Sequence, residues 1–165
     1  MWKILGTIFI VGGVTGILHN WIIEQGKRQK KIEEFLLFFH KSLSMMKTER
    51  LKVIDYFSKT DIKELQEIAM RLSTNTYAKG QMVWEEVFKE ENQNLTFDKD
   101  TFQIILQAGN GFFGRSREEN IRFLQRSINE LEECQKEMKK KDLQERKIWI
   151  PVGVLGAVML VIILI

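Results

Sequence analysis

The sequence predicts an all-α protein: a cytoplasmic bundle of about six helices between an N-terminal and a C-terminal transmembrane helix. Three observations lead there. Two stretches carry no charged side chain, ILGTIFIVGGVTGIL at 4–18 and IWIPVGVLGAVMLVIILI at 148–165. Between them apolar residues recur at spacings of three and four, without the period-two clusters that mark strands. Pro151 is the only proline in 165 residues, so the middle of the chain holds no helix breaker of that kind.

The N-terminal element is expected over residues 1–23. A membrane span needs about 20 mainly apolar residues. The first stretch reaches that length through Trp21, Ile22 and Ile23 if His19 and Asn20 lie near a headgroup layer, with Trp21 as the interface anchor. A signal peptide would instead end in a small-x-small cleavage site. Leu18-His19-Asn20-Trp21 is bulky and polar. The C-terminal element, 148–165, is apolar all round, and the remaining domain is too small to bury it, so it reads as a second span. Pro151 falls in its first turn, where a missing N–H costs least.

Residues 24–147 form the domain between the spans. Ile32, Phe35, Leu36, Phe39, Leu43 and Met46 define one face of an amphipathic helix over 27–47, which can run on from the first span with Gly26 as a weak point. A short helix at 50–58 carries Leu51, Ile54 and Phe57. Another at 61–73 carries Leu65, Ile68 and Leu72, with Asp61 as its cap. TNTYAKG, 74–80, is a loop by composition. A helix at 81–91 holds Val83, Trp84, Val87 and Phe88, and 92–97 is a second loop. Residues 98–108 place Phe102, Ile105 and Leu106 on one face. Ser116 and Glu119 then make an S-x-x-E capping box. Ile121, Leu124, Ile128, Leu131 and Met138 follow as a heptad-like seam. A helix from 116 to 165 would be about 75 Å long at 1.5 Å per residue.

Charge orients the chain. Lys27, Arg28, Lys30 and Lys31 outweigh Glu24 by three charges. Between 136 and 147 the six basic residues, among them Lys139, Lys140, Lys141, Arg146 and Lys147, outweigh the acids by three as well. Lys3 is the only other charge outside residues 32–135, so that body sums to −4 within a total of +3. Basic residues at both inner span edges place the intervening domain in the cytoplasm, at a membrane of anionic lipid. An acidic body argues against nucleic acid as a partner.

Gly109-Asn110-Gly111-Phe112-Phe113-Gly114 matches G-x-G-x-x-G. The dinucleotide fingerprint needs a strand before it and an acidic residue closing the next strand. A P-loop needs G-K-[ST], and Gly114-Arg115-Ser116 lacks the lysine. Helices flank the motif on both sides, so it reads as a turn. Gly109 would take the left-handed position that ends one helix, and Gly111 and Gly114 would let the chain reverse over Phe112 and Phe113. His19 and His40 have no ligand partner at i+4. Cys134 stands alone, which excludes an intrachain disulfide. Adjacent acidic pairs such as Glu85–Glu86 and Glu132–Glu133 point apart on a helix. No cofactor, metal, small-molecule substrate or catalytic constellation is expected.

Three segments resemble the stage III sporulation protein AB family: QMVWEEVFKE at 81–90, DKDTFQIILQAGNGFFGRSREENIRFLQRSINELEE at 98–133 and KIWIPVGVLGAVMLVIILI at 147–165. Gly109 and Gly114 match the two glycines of the family turn and Ser116 its serine. Asn120 stands where that family carries a glutamine, and the family aspartate is missing. Ser42, Met45-Met46 and Glu49 replace the usual Glu, Tyr-Gly and Pro. The resemblance implies a two-pass protein of the mother-cell membrane facing the forespore. Its head would be similar to the F domain of type II secretion and type IV pilus platform proteins. It further implies a non-catalytic platform or adaptor whose partner is the secretion-type ATPase of the same system, stage III sporulation protein AA. Two other readings remain: a coiled-coil membrane organiser resting on the 121–138 seam, and a nucleotide-binding regulator resting on the glycine motif.

Overall fold

A computed structural model describes the backbone of residues 2–48, 52–74, 79–91, 97–114 and 116–164, and the side chains of these except 2–11, 14, 15, 157, 161, 163 and 164. Seven helical segments follow in order: α1 (Trp2–Thr48), α2 (Val53–Phe57), α3 (Lys63–Thr74), α4 (Gly80–Glu91), α5 (Lys99–Ala108), α6 (Asn110–Phe113) and α7 (Arg117–Leu164). No strand occurs among the described residues. The chain divides into two units. Residues 1–29 and 136–165 form the first, residues 30–135 the second.

In the first unit, stretches of α1 and α7 run antiparallel. Gln29 Nε2 donates to Asp142 Oδ2 at 2.6 Å, and Arg146 Nε donates to Gln25 Oε1 at 3.3 Å. Moving back along α1 therefore means moving forward along α7. Gly26 does not interrupt α1, and a Cβ added there would meet nothing within 4 Å. Nor does α7 begin at the second apolar stretch: it runs straight through Pro151. The proline lies deep inside a helix and not in a first turn, so the carbonyl four residues before it loses its backbone donor. Among the described residues no helix is long and apolar enough to cross a membrane. Many side chains of the two expected spans, at 1–11, 14, 15, 157, 161 and 163–165, lie outside the described residues.

The second unit is a helical head around an aromatic core. On α1, Ile32, Phe35, Leu36, Phe39, Leu43 and Met46 are buried as their spacing requires, and Phe38 joins them. Phe57, Leu65, Ile68, Trp84, Val87, Phe88, Ile105, Leu124, Ile128 and Leu131 fill the centre. The seam on α7 is thus covered by the head itself, at least at its three middle positions. That removes the main support for a coiled-coil organiser, whose seam would have to be free for another chain.

Boundaries shift where local chemistry competes with periodicity. Ile54 is exposed, so α2 contributes Phe57 to the core and not the pair, while Leu51 lies outside the described residues. Helix α3 starts at Lys63, two residues beyond Asp61. Thr60 and not Asp61 accepts a free amide there, from Ile62 N at 3.4 Å. Asp98 caps α5, accepting from Thr101 N at 2.9 Å. Of the two expected loops, residues 75–78 and 92–96 lie outside the described residues.

Candidate functional site

The glycine turn sits on the aromatic core of the head. Phe112 is buried against Phe57 (ring centroids 5.0 Å apart), Trp84 (5.6 Å), Phe38 (5.9 Å) and Phe39 (6.0 Å). Trp84 also packs on Phe88 at 4.7 Å, and its indole N–H donates to the Ile105 carbonyl at 3.1 Å. That bond satisfies the polar end of a side chain with no exposed surface. Phe113 is only half-buried.

The glycines do not serve the purpose their sequence suggests. Gly109 has φ −53° and ψ −35°, right-handed helical values, and no glycine among the described residues has positive φ. The left-handed cap is therefore corrected: α5 passes into α6 through a helical turn, with Phe112 N and Phe113 N both donating to the Gly109 carbonyl at 3.0 Å. Space is what demands glycine. A Cβ on Gly109 would lie 2.7 Å from Trp84 Cδ1 and 2.7 Å from Gln81 Oε1. On Gly111 it would lie 2.9 Å from Leu124 Cβ and 3.0 Å from the Leu124 backbone nitrogen. Gly114 is extended, with φ −70° and ψ 175°, and a Cβ there would collide with Asn120 Oδ1 and sit 2.8 Å from the Asn110 carbonyl. Gly80, at the end of the loop expected over 74–80, instead opens α4, and a Cβ there would collide with the Phe113 ring.

Ser116 forms its half of the capping box, its Oγ accepting from Glu119 N at 3.2 Å. The Ser116 carbonyl accepts from Asn120 N at 2.9 Å, opening the ladder of α7. Asn120 turns its side chain back onto the turn. Its Oδ1 and Gln81 Oε1 are buried without hydrogen-bond partners, and both crowd the glycines. Arg117 adds a tie that the sequence did not signal: its Nε donates to the Met46 carbonyl at 2.7 Å, fastening the start of α7 to the end of α1. The turn therefore packs against α1, α2, α4 and α7. Within it Gly109 N donates to the Leu106 carbonyl, and Phe112 N and Phe113 N to the Gly109 carbonyl, all in helical turns.

The family departures on α1 are accommodated. Ser42 is fully buried and donates its hydroxyl to the Phe38 carbonyl at 2.7 Å. Burial pushes the Tyr56 phenol up, and its hydrogen bond with Ser42 partly offsets that. Met46 is buried, Met45 half-buried, and Glu49 lies outside the described residues.

The basic residues separate into two groups. Lys27, Arg28, Lys139, Lys140, Lys141, Arg146 and Lys147 belong to the first unit, and Lys27, Lys140, Lys141 and Lys147 are exposed. Lys30 and Lys31 belong to the head. Lys31 is turned inward: its Nζ pairs with buried Glu64 Oε2 at 3.0 Å and lies over the Phe35 ring at 5.6 Å. A role at a lipid surface therefore does not suit Lys31, because leaving would strand a buried carboxylate. A further charged knot escaped the sequence reading. Arg71 bonds Glu67 at 2.8 Å and Glu90 at 2.6 Å, tying α3 to α4, and it holds Glu90 below the usual carboxylate range. Cys134 Sγ lies 3.2 Å from Thr101 Oγ1, and His40 Nε2 lies 2.9 Å from Glu132 Oε1. No group of three metal-ligating side chains occurs among the described residues.

An all-helical head, closed by a glycine turn that serves packing and continuous with two long helices, defines a class of helical-bundle proteins whose glycine motif is structural. The chain belongs to the stage III sporulation protein AB family, whose family model matches residues 3–165. That is a family of sporulation proteins and not a known enzyme family, and membership assigns the chain a role in stage III of sporulation. No curated protein and no solved structure matches it.

Proposed function

We propose that the protein is a non-catalytic membrane platform in the complex that serves this stage. Two spans, 1–23 and 148–165, hold the head in the cytoplasm at the mother-cell membrane facing the forespore. There the head recruits the secretion-type ATPase of the system, stage III sporulation protein AA, in the manner that the F-domain resemblance implies. One observation carries the membrane reading. From Ile148 to Ile162 the described large apolar side chains are 39–69% exposed. Apolar patches beyond a few hundred Å² are rare on soluble monomers, whereas lipid would cover such a run at no cost. Exposed Lys140, Lys141 and Lys147 stand immediately before it, on the side that the positive-inside rule requires. Within the head, the titratable groups that meet other side chains do so in structural ties, which supports an adaptor.

Topology and recruitment have separate tests. A cysteine placed after Met1 is expected to react with a membrane-impermeant maleimide in intact cells, while Cys134 is protected until the cells are opened. Labelling of Cys134 alone would reverse the orientation, and extraction of the protein by alkaline carbonate would remove the spans. Affinity purification of the full chain from sporulating cells in mild detergent is expected to bring down the ATPase. Its absence, with other members of the complex present, would overturn the recruitment.

A further inference from the structure

We infer that a groove on the head, between α1 and the α2–α3 connection, is the docking site for an amphipathic helix of a partner protein. The inference rests on the adaptor reading in that it requires a partner. The groove encloses about 510 Å³, and its floor is apolar: Leu37, Phe38, Met45, Tyr56 and Ile62. Phe38 and Tyr56 stack at 5.0 Å with their planes 21° apart, which makes a flat, stiff surface. Leu37 projects into the groove and is 73% exposed, although Leu36 and Phe38 on either side are buried. An apolar floor rimmed by polar groups is the usual mark of an interaction site.

Length and charge specify the occupant. The α1 wall runs from Glu34 to Met45, about 16 Å or three helical turns. That suits a helix laid along the groove better than a compact small molecule. The rim carries Glu34, Lys41, Lys59 and Asp61, and none of these has an ion-pair partner among the described residues. A rim of both signs does not suit an anionic lipid surface, which would ask for cations alone. Glu34 and Lys41 stand seven residues apart, about two turns. The complementary helix therefore carries an apolar stripe at i, i+3, i+4 and i+7, bordered by an amine and a carboxylate about seven residues apart.

The test uses the full chain in sporulating cells. A photo-crosslinking benzoylphenylalanine is placed at Leu37 and, as a control, at exposed Gln103 on α5. Position 37 alone is expected to crosslink to a helical segment with that stripe and those borders. Lys41→Glu is expected to lower the yield about three-fold, as a surface ion pair allows. Exchanging the partner's carboxylate for lysine should restore it. Crosslinks to a second copy, to lipid or to a segment without the stripe would overturn the inference, and so would equal yields from 37 and 103. Leu37→Asp, at a position already exposed, should abolish co-purification with an unchanged helical circular dichroism spectrum. If that variant still carries the complex, the groove is not the site and the adaptor reading stands. If the wild-type chain carries no protein of the complex, the adaptor reading itself falls, and the groove inference with it.

Discussion

Replacing Gly109 separates two explanations of the glycine turn. If the glycine were there for a left-handed backbone, asparagine would be its best substitute, since Asn tolerates that region better than Ala does. In the structure Gly109 is right-handed, and its constraint is the face of Trp84 at 2.7 Å from a new Cβ. Ordinary carbon contacts lie at about 3.5–4.0 Å, so Gly109→Ala must open α4 from α5 by roughly 1 Å. Trp84 cannot yield easily, being fully buried among Phe57, Phe88 and Phe112 and tied to the Ile105 carbonyl. Overpacking of this kind costs about 1–3 kcal/mol. The helical φ and ψ return up to about 1 kcal/mol, because alanine is the better helix former. The expected net loss for Ala is therefore about 1 kcal/mol. Asn, with three more heavy atoms to place against the same indole, should lose more. Trp84 is the only tryptophan in residues 30–135. Urea unfolding of that segment, followed by its fluorescence, reads the difference directly, and about 1 kcal/mol moves the melting point by roughly 4–8 °C in a domain of this size. Equal stability of wild type and Gly109→Ala, or Gly109→Asn at least as stable as Gly109→Ala, would refute the packing explanation.

Gly114→Ala should destabilise the head, and less so in an Asn120→Ala background, because Asn120 Oδ1 is the first atom its Cβ meets; the carbonyl of Asn110 at 2.8 Å should leave part of the cost. Additive losses in the double-mutant cycle would deny that contact. Trp84→Phe removes the indole donor from the Ile105 carbonyl and leaves a void, and should cost about 1–3 kcal/mol for the lost hydrogen bond alone; circular dichroism during denaturation checks it, and an unchanged midpoint would contradict it. Arg71 depresses Glu90, so this tie contributes stability above the ordinary carboxylate pKa, and the contribution is lost as pH falls through the lowered value. The melting point of the head should therefore drop more between neutral and strongly acidic pH in wild type than in Arg71→Met. Parallel pH profiles would show that the pair does not contribute.

Much of this protein was legible without coordinates. The three- and four-residue spacing on α1 named the buried side of the helix because a 3.6-residue turn leaves little choice about which residues share a face. Asp98 was not singled out, yet its type and its place before an apolar stripe are a readable cap signal. Ser116 was read, and it accepts the Glu119 amide as expected. The family turn was legible too, since glycines, serine and the flanking helices lie close together in sequence. What the turn is for was not. A glycine in sequence says only that a side chain is excluded, and it does not say whether φ or a neighbour excludes it. At Gly109, Gly111 and Gly114 the excluding neighbours are Trp84, Leu124 and Asn120; all three lie on other helices, and none is a sequence neighbour. Lys31 shows the same division. Its position beside Lys27, Arg28 and Lys30 reads as part of a basic collar, but only the packing of α3 beside α1 brings Glu64 within 3.0 Å of it. Local sequence thus determined which segments are helical and which faces are apolar, because those follow from backbone geometry and hydrophobic periodicity. Tertiary structure alone decided what each exposed charge or missing side chain confronts, because those partners are set by the closing of helices far apart in the chain.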